Sequence, residues 1–174
     1  MNLKFETINF EIIENIAIIR LNRPNSYNSL NAKMAKELLE ISYECDTNKK
    51  IRAIILTGEG DRAFCAGGDL KSFHETGNVA KHLKMVTHDL HGAITKFSRM
   101  NSPLIVAVNG VAAGAGLSFV GFADLAIAKS SATFVSAYTK AGLTPDGSSS
   151  YYLPRIIGIR TVSYTHLTLP TIVS

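Results

Sequence analysis

The chain has 174 residues, 46% of them hydrophobic and 18% charged, with a net charge of +4. That is long enough for one domain with its own core, and the balance is that of a globular protein. No stretch is dense in Lys and Arg and no apolar run reaches membrane-spanning length, which argues against nucleic acid and membrane as partners.

The start, MNLKFETINFEII, alternates and carries acids, unlike a signal peptide. Residues 8–13 and 16–21 flank Glu14-Asn15 and read as a hairpin. Asn31 can cap a helix whose apolar positions are Met34, Leu38, Ile41 and Cys45. Residues 51–57 read as a buried strand ended by Gly58 to Gly60. Residues 72–80 are polar and contain Gly77-Asn78, so a mobile surface loop is expected. Helical spacing returns over 81–100 through Leu83, Val86, Leu90 and Ile94. A strand at 104–108, a helix near 114–122 and a strand at 125–129 follow. Alternating strands and helices imply an α/β fold. The sequence of strand, small-residue loop and helix occurs twice, which suggests a repeated β-β-α spiral. Cys45 and Cys65 have no metal-ligand spacing; no metal is expected, and two free thiols suit a reducing cytosol.

The two small-residue loops are Phe64-Cys65-Ala66-Gly67-Gly68-Asp69-Leu70 and Asn109-Gly110-Val111-Ala112-Ala113-Gly114-Ala115-Gly116. Each follows an apolar run and precedes a helix start, where N–H groups lack partners and the helix dipole is positive. Two such sites facing one carbonyl would form an oxyanion hole. Gly114-Ala115-Gly116 fails a dinucleotide fingerprint at its third glycine, and Gly116 to Val120 fails the nucleophile-elbow pattern. His74, His82, His88 and His91 lie on the expected loop and its helix and read as solvated surface.

These loops, with Leu21-Asn22-Arg23-Pro24, Asn28-Ser29-Leu30, Gly142-Leu143-Thr144-Pro145-Asp146 and Leu153-Pro154-Arg155, fall in one order and spacing. In these motifs the chain resembles the crotonase superfamily, the enoyl-CoA hydratase/isomerase group, over residues 8 to 160. It is most similar to the phenylacetate-pathway type of isomerase, which places an Asp in a like L-x-P-D setting. The resemblance implies a crotonase-like β-β-α superhelical spiral that lacks the family's C-terminal helices. It implies an acyl-CoA thioester as substrate, coenzyme A as part of that substrate, no other cofactor, and a homotrimer or hexamer as the whole protein. The oxyanion donors would be the N–H groups of Gly68 and Ala115. Coenzyme A would meet Arg23, Ser26 and Tyr27, then Ala66, Gly67, Gly68, Asp69 and Leu70, with Gly114 beside the thioester. Arg62 and Lys71 flank the second patch.

Hydratases of the family use two Glu residues, and the matching positions hold Ser118 and Tyr138. Asp146 is the remaining candidate for the acid/base group. One carboxylate can take a proton from one carbon and return it to another, so isomerisation of an unsaturated acyl-CoA is expected. Two other readings stay open: a hydratase, and a non-catalytic fragment that binds coenzyme A. Asp124 reads as a structural cap. Residues 1–161 are expected to form the catalytic core. The tail 162–174, VSYTHLTLPTIVS, has no helical period and reads as a foreign segment without core contacts.

Overall fold

The computed structural model describes residues 4–74 and 76–166. The chain opens on the hairpin of β1 (Ile8–Ile13) and β2 (Ile16–Leu21). Glu14 and Asn15 make its two-residue turn with φ of 49° and 67°, the left-handed values that match the twist of paired strands. Helix α1 (Ala32–Thr47) starts at Asn31, whose side chain accepts from the Met34 amide at 2.9 Å. Its buried face carries Met34, Leu38, Ile41 and Cys45, as the spacing predicts.

Three β-β-α passes follow. The first is β3 (Ala53–Gly58), β4 (Ala63–Cys65), the short α2 (Leu70–His74) and α3 (Val79–Phe97). The second is β5 (Leu104–Val108), β6 (Val111–Ala113) and α4 (Ala115–Phe122). The third is β7 (Leu125–Ala128), β8 (Thr133–Val135) and α5 (Ser149–Ile157). The first strand of each pass joins a five-stranded sheet of order β1-β2-β3-β5-β7, and the second joins a three-stranded sheet of order β4-β6-β8. All pairs are parallel except the opening hairpin. Each pass therefore advances both sheets by one strand, which is the expected spiral with a third turn.

The core lies between the larger sheet and helices α1 and α3, which pack on each other. Ile19, Leu21, Ile54, Leu56, Leu104 and Val106 face it from the strands. Asp124 is structural: its carboxylate accepts from the Leu104 amide at 2.8 Å. Both cysteines are buried and free. Among the described residues, no helix is long and apolar enough to cross a membrane and no group of acidic, His and Cys side chains is placed to hold a metal.

Two segments differ from expectation. Residues 72–74 belong to α2, and α3 begins at Val79, so the expected surface loop shrinks to the stretch around Thr76-Gly77-Asn78. The Asn78 side chain caps α3 by accepting from the Lys81 amide at 2.9 Å. Farther on, helix α6 (Ile159–His166) crosses the expected boundary at residue 161. Val162 is buried with Leu117 of α4 and Leu153 of α5, so the stretch does have a core contact. That packing outweighs the weak helix propensity of Thr and Val. The rest of the expected tail, 167–174, lies outside the described residues.

Candidate active site

The loop after β4 is held by its neighbours rather than by itself. Leu30 pairs with Gly68 as an isolated parallel bridge. Its amide donates to the Gly67 carbonyl at 2.7 Å, and its carbonyl accepts from the Asp69 amide at 2.8 Å. A parallel bridge uses the residues on either side of its partner. Gly68 is thereby left with its own N–H on the other edge of the segment. The second loop ends at Gly114, the N-cap of α4, which has φ of 51° and no side chain to cap the helix. The Ala115 amide is the first of the helix and has no intrahelical acceptor. The amides of Gly68 and Ala115 thus have no acceptor among the described residues.

The two loops touch backbone to backbone. Gly67 has φ of 97°, and a β-carbon there would come within 3.0 Å of the Ala113 carbonyl oxygen. Gly116 sits closer still, since a β-carbon would meet the Cys65 carbonyl oxygen. These glycines bring the two helix entrances together.

Two asparagines brace this arrangement from behind, and sequence reasoning gave them no role. Asn28 donates to the carbonyls of Ala63 at 2.8 Å and Glu59 at 3.0 Å, and accepts from the Arg23 amide at 2.9 Å. Asn109 donates to the carbonyls of Gly58 at 2.9 Å and Gly60 at 2.6 Å, and accepts from the Gly58 amide at 3.1 Å. Both stand inside the sequence motifs, so position was the available signal.

Gly67, Gly68, Gly114 and Ala115 border one cavity of about 270 Å³. Ala66, Leu70 and Asp146 border it too. Its walls are Phe73 of α2, Leu83, Val86 and Leu90 of α3, and Tyr138 and Leu143 of the segment before α5. Among the described residues, Asp146 is the one acidic residue on this wall. Its Oδ1 lies 2.8 Å from His91 Nε2, on a pair exposed by 37% and 48% that stands at the cavity's mouth. His91 is exposed, as the sequence reading expects, but that reading did not foresee its bond to Asp146. The signal was present: Leu83, Val86, Thr87 and Leu90 share the cavity-facing side of α3, and His91 is eight residues after Leu83.

Ser118 and Tyr138, the positions where hydratases would carry Glu, form a hydroxyl pair at 2.9 Å. The Ser118 hydroxyl also donates to the Asp146 carbonyl at 2.9 Å. Burial pushes the Tyr138 phenol up to about 12, although its bond to Ser118 pulls the other way.

Arg23, Ser26, Tyr27 and Asp69 do not border the cavity. The Arg23 guanidinium bonds the Asp69 carboxylate at 2.7 Å and the Ser29 carbonyl at 2.6 Å, tying the exit of β2 to the loop at 66–70. Arg62 lies 4.8 Å from the Tyr27 ring centre and donates to the Pro24 carbonyl at 3.0 Å.

Comparison with known proteins agrees with this geometry. The family model for enoyl-CoA hydratase/isomerase matches residues 11–172. The 4-chlorobenzoyl coenzyme A dehalogenase-2 of an Arthrobacter species is 36% identical over 88% of this chain and 56% of its own length. The 1,2-epoxyphenylacetyl-CoA isomerase of Escherichia coli K12 is 37% identical over 88% of this chain and 59% of its own. The chain thus spans less than two thirds of these relatives. A crystal structure of an enoyl-CoA hydratase/isomerase from Mycobacterium paratuberculosis superposes with a TM-score of 0.88 at 28% identity, over 95% of this chain and 67% of that one. With both loops, the spiral and the family match in agreement, the chain belongs to the crotonase-fold enoyl-CoA hydratase/isomerase family.

Proposed function

We propose that the protein isomerises an unsaturated acyl-CoA thioester. The thioester oxygen accepts from the amides of Gly68 and Ala115. Asp146 takes a proton from the α-carbon, negative charge collects on that oxygen, and Asp146 returns the proton farther along the chain. The double bond moves and nothing is gained or lost. Backbone donors favour the enolate over the ground-state carbonyl because the charge develops only after proton removal. The reaction is redox-neutral, and coenzyme A enters as part of the substrate.

The observation that carries this reading is the single carboxylate on the cavity wall among the described residues. Among the described residues, water addition by two carboxylates has no second partner there, and Ser118 and Tyr138 bond each other. The test is rapid assay of 3-enoyl-CoA thioesters, linear and ring-bearing, by the rise of conjugated-thioester absorbance. Loss of that absorbance from crotonyl-CoA, with no isomerisation, would make hydration the reaction instead.

The His91–Asp146 contact favours a second reading. A carboxylate oriented by an imidazole can also attack carbon, and relatives with 36% identity are named 4-chlorobenzoyl-CoA dehalogenases. Chloride release from 4-chlorobenzoyl-CoA tests it directly.

For the whole protein, assembly with like subunits, as a trimer or hexamer, is supported by exposed Leu125, Ile127 and Ile159, 60%, 66% and 67% accessible. Light scattering checks the stoichiometry. A cytosolic location agrees with the two free, buried thiols.

A further inference from the structure

Ser118 is 1% exposed and lies on α4 one turn beyond Ala115. Its hydroxyl meets three groups: the Gly114 carbonyl at 3.3 Å, the Tyr138 hydroxyl at 2.9 Å and the Asp146 carbonyl at 2.9 Å. A hydroxyl has one proton, and carbonyls only accept. Ser118 must therefore give its proton to a carbonyl, and the Asp146 carbonyl is the nearer. Tyr138 must then donate to Ser118. The order of donation is Tyr138 to Ser118 to the peptide oxygen of Asp146. Burial holds the Tyr138 proton in place up to about 12, so the order persists across the neutral range.

The turn that carries Asp146 also packs on this residue, while the Asp146 carbonyl accepts a second bond from the Ser149 amide at 3.2 Å. Residues 143–146 have no regular structure, and Gly147 follows with φ of 59°. A β-carbon on Gly147 would lie 2.9 Å from the Ser118 β-carbon, so the turn rests directly on Ser118. Helix α4 carries the oxyanion amide on its first residue and this hydroxyl on its fourth. A rigid helix turn is thus the ruler between one catalytic group and the other.

We propose that Ser118, oriented by Tyr138, is the positioning residue that sets the distance between the oxyanion donor of Ala115 and the carboxylate of Asp146. This rests on Asp146 being the proton carrier. Ser118 acts through the Asp146 peptide, and a structural loss elsewhere would not reproduce its signature.

The test compares Ser118→Ala, Tyr138→Phe and the double variant, with Asp146→Asn alongside. Readouts are kcat, KM and the rate of α-proton exchange of an acyl-CoA in heavy water. Ser118→Ala should lower kcat and exchange together by roughly 10- to 100-fold, as an ångström-scale displacement of a reacting group does, with KM nearly unchanged. Tyr138→Phe alone should lower both less. Added to Ser118→Ala it should cost less than it does alone, because part of its effect passes through Ser118 while its own oxygen also bonds the Asp146 backbone. Wild-type kcat in Ser118→Ala, or additive losses in the double variant, overturns the proposal. If Ser118→Ala does not fold, Tyr138→Phe decides alone: a loss in kcat without a change in KM supports the proposal, and full activity overturns it. Asp146→Asn separates the two readings. Its inactivity beside a fully active Ser118→Ala leaves Asp146 in its role and removes Ser118. Its full activity removes the isomerisation mechanism itself.

Discussion

The two sides of the cavity are built by different means. The side that carries the proposed oxyanion donors is made of backbone. Gly68 and Ala115 present amides left over by sheet-like pairing and by a helix start, and close-packed glycines with two asparagine clamps fix them. The carboxylate side is made of side chains on an irregular segment. Ala137 and Ser148, at its two ends, have φ of 53° and 61°, values that non-glycine residues seldom adopt. The Asp146 carbonyl accepts from the Ser118 hydroxyl and the Ser149 amide, and its carboxylate bonds His91. The first side presents amides rather than side chains, but it leaves no room for a β-carbon at Gly67 or Gly116 and leans on the Asn28 and Asn109 side chains. The second should respond to single-atom changes.

The largest expected effect falls on the second side. Asp146→Asn keeps size and turn propensity but cannot cycle a proton. Isomerase turnover should fall by roughly a hundredfold or more, with binding of the thioester little changed. Turnover within a few-fold of wild type would reduce Asp146 to a turn residue. Next comes the backbone. Gly68→Pro removes the free N–H while leaving the Leu30 contacts with Gly67 and Asp69 available. The loss should be roughly 100- to 1000-fold in kcat, as for one oxyanion donor. A Gly68→Pro variant that melts normally and retains full turnover would take that donor out of the mechanism.

The same contrast governs how much was legible in the sequence. The placement of the two small-residue loops was readable because glycine and alanine runs between an apolar strand and a helix have few physical uses. The hairpin turn at Glu14-Asn15 and the Asn31 cap were readable because they are local. The short strands β4, β6 and β8 were not, since three residues are too few to show a period and their pairing is between distant segments. His91 was missed because its partner is 55 residues away. Ser118 and Tyr138 were noticed only for not being Glu, and their bond spans 20 residues. Helix α6 was missed because its sequence is poor in helix formers and its packing on Leu117 and Leu153 decides the matter.

A smaller effect sharpens the picture of the carboxylate side. His91→Gln keeps a group able to donate to Asp146 but removes the imidazole. The pair is partly exposed, so the bond is worth about 1 kcal/mol and turnover should fall roughly 3- to 10-fold. Steady-state turnover of the variant is the measurement, and turnover equal to wild type would leave His91 as exposed surface with no part in the reaction.

The last and smallest effect is absent at neutral pH and tests both sides at once. Burial pushes Cys65, beneath the oxyanion loop, from 9.0 up to about 12, and likewise Cys45 on α1. Burial also pushes Tyr138, on the carboxylate side, from 10.0 up to about 12. Below about pH 9 the folded and unfolded chains both keep these protons, so the groups add no pH dependence there. Between about 9 and about 12 the unfolded chain releases them while the folded chain holds them. The folded state then binds more protons, and stability must fall as pH rises. The melting midpoint should therefore be flat from neutrality to about pH 9 and decline above it, with a shallower decline in Tyr138→Phe. Native thiols should resist alkylation at about pH 8, because the thiolate is the nucleophile and burial suppresses it. Alkylation of the folded protein at the rate of a free thiol would show that the packing under the oxyanion loop opens far more readily than the glycine contacts there imply.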